Sequence, residues 1–364
     1  MGYLYHDLPS DTMAAVEMAL RSDTVPICGK RVVPAMKRDA QVNRQLIQIM
    51  MSATGAQRAE RGEVIQSLWS GYGEIVRYAL TGARASSAVL KHVLFPSTVN
   101  HPRGWHNDLS HRRKVKSYEV EMHWYQAWAG RCDDQCRVPH CYTTETIGDE
   151  HLMVLEDLDA AGFPRRSTTL DLQGVQACLR WLASFHASFI GEQPAGLWAT
   201  GTYWHLATRP DELAVMEDDA LRDAAPVIDS MLSSARFQTL VHGDAKLANF
   251  CFSADGQSVA AVDFQYVGGG CGMKDIAYFL GSCLSDRDHQ QYEAALLDDY
   301  FSHLKSALLR HGKAVDFDAL ATEWRALFPV AQADFYRFLV GWMPTHWKIN
   351  DYNKRVAQIV VAAL

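Results

Sequence analysis

The sequence predicts an α+β protein of two lobes, and three observations lead there. Between residues 63 and 93 short apolar runs alternate with glycine- and serine-bearing turns, the pattern of antiparallel strands. Beyond about residue 158 the apolar positions fall at helical spacing. The 364 residues, 48% of them apolar, suffice for two lobes with a sizeable core. A mostly-β front half followed by a mostly-α back half is a layered α+β arrangement. Its boundary is placed near Asp157: an N-terminal extension over 1–40, an N-lobe over 41–157 and a C-lobe over 158–364.

In chain order, residues 13–20 are amphipathic and 41–53 read as a helix. The runs 63–69, 75–80 and 88–93 read as a three-strand meander, with S-G-Y-G-E and T-G-A-R-A-S-S as its turns. Helical spacing returns over 116–128, then a strand pair ending in H-L-M-V-L-E-D-L over 151–158. Residues 175–190 are apolar on most faces, as a buried central helix would be. Short strands are expected at 239–242 and 258–263, and helices at 276–283, 292–309 and 333–342.

Composition excludes several functions. A net charge of −7 argues against nucleic acid and membrane surfaces as partners, both of which favour a basic face. No run approaches the ~20 apolar residues that span a bilayer, and the first residues lack a signal-peptide pattern, so a cytoplasmic location is expected. The eight cysteines are scattered, as reduced thiols are. One cluster, Cys132, Cys136, His140 and Cys141, has donor types that suit zinc. Its C-x3-C spacing and the adjacent His140–Cys141 fit tetrahedral ligation poorly, so ordinary thiols are favoured.

The informative segment is L-V-H-G-D-A-K-L-A-N-F-C-F followed by A-A-V-D-F-Q. It sets His242, Gly243, Asp244, Lys246, Asn249 and Asp263 within 22 residues, at the ends of short apolar strands. Phosphoryl transfer needs an oriented hydroxyl and neutralised phosphates rather than covalent help. Asp244 suits the first task as a carboxylate that can take the hydroxyl proton. Asn249 and Asp263 offer the hard oxygens that Mg2+ prefers. Lys246 can meet the transferring phosphate as a point charge.

D-x-K-x-x-N resembles the catalytic loop of protein kinases. H-G-D in place of H-R-D is similar to the aminoglycoside phosphotransferase/choline kinase-like superfamily, and D-F-Q resembles its ecdysteroid kinase-like branch. Other segments resemble that branch in the same order. A-V-L-K, ending at Lys91, looks like the strand carrying the phosphate-binding lysine, and E-M-H-W-Y, beginning at Glu121, looks like the helix carrying its partner. Glu119 is the rival, on roughly the opposite face. M-V-L-E-D-L looks like the hinge that meets adenine, through Glu156, Asp157 and Leu158. Ser70, Gly71, Tyr72 and Gly73 occupy the place of the loop over the nucleotide, without matching G-x-G-x-x-G. L-A-S-F-H-A carries His186, and Asp275 matches a family position expected to brace the loop around Asp244 or to cap its helix. The resemblance thus implies a protein-kinase-like bilobal fold, ATP and Mg2+ as cofactors, and Asp244 with Lys246 as the catalytic pair.

Only eleven residues, four of them glycine, separate Asp263 from Asp275, and no A-P-E comes after them. That leaves no peptide-docking platform and points to a small hydroxyl-bearing acceptor. Tyr336, Trp342, His346, Trp347 and Tyr352 are candidates for an apolar acceptor wall, and Asp334 or Asp351 for holding a cationic group. A tight acidic cluster for polycations is not evident, which favours a neutral or lipophilic alcohol. Two alternatives stay open: a nucleotide-binding protein without transfer activity, and a protein kinase.

Overall fold

The computed structural model describes residues 33–68, 71–95 and 107–364. The amphipathic piece at 13–20, Cys28, Trp69 and Ser70 lie outside the described residues. The chain separates into two compact units, Met1–Gln48 and Ile49–Leu364. The described part of the first is helical, within α1 (Val33–Thr54), which begins earlier than the expected start at residue 41. The sheet and the later helices belong to the second unit.

Five antiparallel strands make one sheet: β1 (Arg58–Ser67), β2 (Gly73–Thr81), β3 (Ser87–Leu94), β4 (Cys141–Ile147) and β5 (Glu150–Glu156). Their order is β1-β2-β3-β5-β4. The meander therefore continues into the expected strand pair, with β5 against β3 in a register that sets Lys91 opposite Met153. Gly73 is required where β2 begins. Its φ is +117°, and a Cβ there would stand 2.0 Å from the His92 carbonyl oxygen.

Between β3 and β4 runs α2 (Asn107–His123). Regular helix was expected to continue through Trp128. Instead residues Trp124–Trp128 form a π-helical turn that buries Trp124, Tyr125 and Trp128.

The rest is mostly helical. α3 (Leu172–Phe189) starts on Asp171, whose side chain accepts from the Gly174 N–H at 2.9 Å. Fourteen of its eighteen residues are buried, so it is the central helix that its apolarity predicts. Against it pack α6 (Met273–Cys283) and α7 (Asp286–Arg310), and the helical part is completed by α4 (Pro210–Ala214), α5 (Asp219–Ser233) and α9 (Asp351–Ala363), which pack on α8 (Phe317–Trp342). The patterns at 276–283, 292–309 and 333–342 are thus parts of longer helices. α7 is started by a capping box between Ser285 and Asp288.

Two small two-stranded ribbons carry the informative loops. One pairs β6 (Thr239–Val241) with β9 (Gly268–Gly270); the other pairs β7 (Phe250–Phe252) with β8 (Val259–Ala261). The protein is a bilobal kinase-like fold, with an antiparallel sheet and helix in front and a largely helical lobe behind.

Candidate active site

The loop between β6 and β7 presents Asp244, and its shape is forced. Gly243 has φ +79°, and a Cβ on it would lie 2.1 Å from the Tyr266 carbonyl oxygen and 2.7 Å from the Thr202 nitrogen. Only glycine lets the turn after D-F-Q come this close. The loop is then pinned from behind. Asp275 on α6 accepts from the backbone N–H of His242 (2.6 Å) and of Gly243 (2.9 Å). It also meets His186 Nε2 at 3.2 Å, while His186 Nδ1 pairs with the Tyr300 hydroxyl at 2.8 Å. Asp275 thus braces the loop; it does not cap its helix, whose N-cap is Gly272. His186 is fully buried and carries two partners. His242 Nε2 bonds the Val262 carbonyl at 3.0 Å, tying the Asp244 loop to the residue before Asp263.

Asp244 sits in a fixed hydrogen-bond frame. Its Oδ1 accepts from the Tyr278 hydroxyl at 3.1 Å and its Oδ2 from Asn249 Nδ2 at 3.1 Å. Lys246 Nζ stands 3.5 Å from Oδ2 and is the more exposed partner. Asn249 also donates to the Asp244 carbonyl at 2.8 Å. With its nitrogen spent twice on Asp244, the amide of Asn249 keeps its oxygen for another partner.

Asp263 comes after β8 in a left-handed backbone conformation, φ +68°. Non-glycine residues adopt this rarely, Asp more readily than most. Its Oδ1 accepts from Gln265 Nε2 at 2.6 Å and from Lys91 Nζ at 3.2 Å. Burial pushes its carboxyl up, but Lys91, Lys114 and Lys246 outweigh that and hold it at about 2. The side chain remains one-third exposed. Lys91 in turn donates to both oxygens of Glu121, at 2.8 and 2.6 Å. Burial favours a neutral Lys91, yet Glu121 and Asp263 raise its proton affinity above the ordinary value. Glu119, the rival, is exposed.

The other expected residues are spread over the sheet and its edges. Tyr72 is fully buried, its hydroxyl on His111 Nδ1 at 2.7 Å and its ring beside Tyr118. Gly71 and Gly73 both take positive φ, as a tight hairpin requires. Glu156 pairs with Arg137 and accepts from the His140 N–H at 3.0 Å. Asp157 is held within the sheet by Arg77 Nε and Ser87 Oγ, each at 2.7 Å. Leu158 packs on Cys251 and Ala260.

Asp334 does not fit the acceptor role suggested for it. It is buried under Trp204 Nε1 (2.9 Å) and Arg337 (2.8 Å), with Lys274 at 3.9 Å, so its charge is already matched. Tyr352 bonds Glu293 at 2.6 Å and stacks on His289. Among the described residues no three or more His, Cys, Asp and Glu side chains converge as a metal site. In the Cys132–Cys141 segment, Cys136 is buried near Ser188 and Cys141 contacts the Thr143 carbonyl.

Sequence reasoning missed three partners. Tyr278 lies one helical turn after Asp275, so the i, i+3 spacing could have placed it beside the loop. Lys114 lies two turns before Glu121, on the same face. Gln265 stood inside the quoted D-F-Q with no role assigned.

Residues 109–192 and 202–313, more than half of the chain, match the ecdysteroid kinase-like family. A comparison with curated protein sequences returns no match. The fold is shared with choline kinase from Cryptosporidium parvum Iowa II, at 10% identity over 88% of this chain and 94% of that one, TM-score 0.54. Ethanolamine kinase from Plasmodium vivax aligns at 10% identity over 99% of this chain and 97% of that one, TM-score 0.45. Amicoumacin kinase hAmiN, solved with AMP-PNP, Ca2+ and Ami, aligns at 14% identity over 90% and 95%, TM-score 0.48. With the H-G-D-x-K-x-x-N loop and the D-F-Q segment inside the matched region, this chain belongs to the ecdysteroid kinase-like family.

Proposed function

We propose that this chain is an ATP- and Mg2+-dependent small-molecule kinase that transfers the γ-phosphoryl group to an alcohol hydroxyl, with lipophilic alcohols the first acceptor class to test. The observation that carries this reading is the frame around Asp244, with Tyr278 on one oxygen and Asn249 and Lys246 on the other. Such a carboxylate accepts the acceptor's hydroxyl proton as the new O–P bond forms and the bond from γ-phosphorus to the bridging oxygen breaks, releasing ADP. Lys246 lies beside Asp244 as a countercharge for the phosphoryl group in flight. Lys91, oriented by Glu121, serves the α- and β-phosphates.

The remaining oxygens of Asn249 and Asp263 fit Mg2+, which binds through one or two protein oxygens and completes its shell with phosphates and water. When bound, the ion neutralises phosphate charge. Glu156, Asp157 and Leu158 serve as the hinge, with backbone groups meeting adenine. Gly71 and Gly73 would bring backbone near the phosphates, whereas the Tyr72 ring belongs to the core.

A small acceptor is supported by the short segment after Asp263. Gly268–Gly270 is a strand docked on β6, and α6 starts at Met273, so no extended segment stands there to receive a peptide. For an apolar acceptor, the partly exposed Tyr203 and Trp342 are the aromatic faces to consider: Tyr203 lies 5.6 Å from Tyr278 and 5.4 Å from Phe338, and Trp342 stacks on Phe338 at 5.5 Å, with Tyr278 and Phe338 themselves in the core. No helix among the described residues is long and apolar enough to cross a membrane.

The test is phosphate transfer from labelled ATP to sterols, amino alcohols, sugars and aminoglycosides, with the wild type and Asp244→Ala. The wild type is expected to phosphorylate a lipophilic alcohol. The variant should lose at least about a hundredfold in kcat, the usual share of a general base, and still bind nucleotide. Nucleotide binding with no acceptor phosphorylated across the panel would instead favour a binding protein without transfer activity.

A further inference from the structure

Helix α2 carries four polar or aromatic contacts on one stripe, at His111, Lys114, Tyr118 and Glu121. The spacing of three, four and three residues keeps them on one face. Each meets a different part of the site. His111 holds the Tyr72 hydroxyl of the β1–β2 loop at 2.7 Å, and Glu121 holds Lys91 of β3. Between them, Lys114 Nζ donates to Gln265 Oε1 at 2.6 Å, over the ring of Tyr118. Ser117 Oγ lies 3.2 Å from the same Oε1, while its single proton has a nearer acceptor in the Lys114 carbonyl at 2.7 Å. The other end of the Gln265 amide donates to Asp263 Oδ1 at 2.6 Å.

A side-chain amide suits this position because it is a donor at one end and an acceptor at the other. With its oxygen fixed by Lys114, its NH2 points toward Asp263. Gln265 is buried, so water competes little for these bonds. Among the described residues, both bonds that Asp263 accepts, from Gln265 and Lys91, fall on Oδ1. That leaves Oδ2 of a one-third exposed carboxylate as the oxygen for a cation.

The geometry assigns Gln265 and Lys114 as positioning residues that turn Asp263 so that Oδ2 receives the divalent cation of a bound nucleotide. This rests on Asp263 being a metal ligand, as proposed above. The third residue of D-F-Q is then a working part of the metal site, held from helix α2.

Binding of AMP-PNP measured by calorimetry, with and without Mg2+, tests it without any turnover. Gln265→Met keeps the volume and removes both polar ends. Lys114→Met lies at a partly exposed position and leaves Gln265 in place. Gln265→Met should lower the Mg2+-dependent gain in affinity about tenfold, the scale of a hydrogen bond to a charged group, with metal-free binding unchanged. Lys114→Met should lose part of the same gain, and the double variant should lose no more than Gln265→Met alone. Asp263→Asn is the control that separates the two readings. An unchanged Mg2+ gain in Gln265→Met and Lys114→Met, with Asp263→Asn losing it, would overturn the positioning role and leave the kinase site standing. An unchanged gain in Asp263→Asn as well removes the metal ligand and the positioning role with it.

Discussion

Two clusters of buried charge stand in this protein, and they are finished differently. In one, Lys274, Asp334 and Arg337 are 2%, 1% and 0% exposed. Burial pushes the Asp334 carboxyl up, and Arg337 and Lys274 more than reverse it. Apart from Nη1 of Arg337, which has no partner among the described residues, that cluster is closed. Around Asp263, Lys91 stands at 3.2 Å, yet the side chain stays one-third exposed with both of its bonds among the described residues on one oxygen. Buried charge by itself therefore does not mark function here. What separates the two clusters is unused bonding capacity left facing solvent.

The comparison can be broken most directly at the closed cluster. Arg337→Leu strands Asp334 without its main partner, and removing one member of a buried pair costs about 3–5 kcal/mol. Urea unfolding should show this loss, while AMP-PNP affinity of the folded protein stays unchanged. A cost under about 1 kcal/mol would place the cluster among weak ion pairs and erase the distinction. Tyr278→Phe sharpens the open side. It removes one hydrogen bond from Asp244, worth about 1 kcal/mol, so kcat should fall about fivefold with the nucleotide KM unchanged. A fall in stability with kcat preserved would assign Tyr278 to packing alone. The smallest effect concerns two thiols, Cys271 just before α6 and the partly buried Cys283 at its end. Burial pushes Cys271 and Cys283 up to about 12, so at pH 8 they remain protonated and weakly nucleophilic. A disulfide reagent should leave both unmodified in the native protein and label both after denaturation.

The open cluster was also the more legible from sequence. Asp244, Lys246, Asn249 and Asp263 share one short segment whose spacing survives folding. The links that complete the site do not: Lys114 meets Gln265 across 151 positions, and Tyr278 meets Asp244 across 34. No local period reports such pairs. The strands of the sheet were readable because β2 and β3 carry alternating, β-branched sequence. β9 was not, since Gly268–Gly270 has no side chains to pattern and is defined only by pairing with β6. α5 was hidden by Pro226 within it, and the start of α8 by Pro329, since proline argues against a helix interior. Asp334 misled because a carboxylate on an aromatic-rich helix resembles a cation site until its neighbours Arg337 and Lys274 are in place.

The π-helical turn after α2 has a mechanical consequence. It sets Trp124 flat against Phe264, ring centroids 4.6 Å apart and 14° from parallel. Phe264 and Gln265 are consecutive, yet one meets Trp124 and the other meets Lys114, about three helical turns away. The D-F-Q segment therefore grips this helical stretch twice, through a ring at its end and through an amide at Lys114. Trp124 also packs on Phe185 and Phe189 of α3, so rolling the helix about its axis would strain the ring contact, the amide contact and the seat on the central helix together.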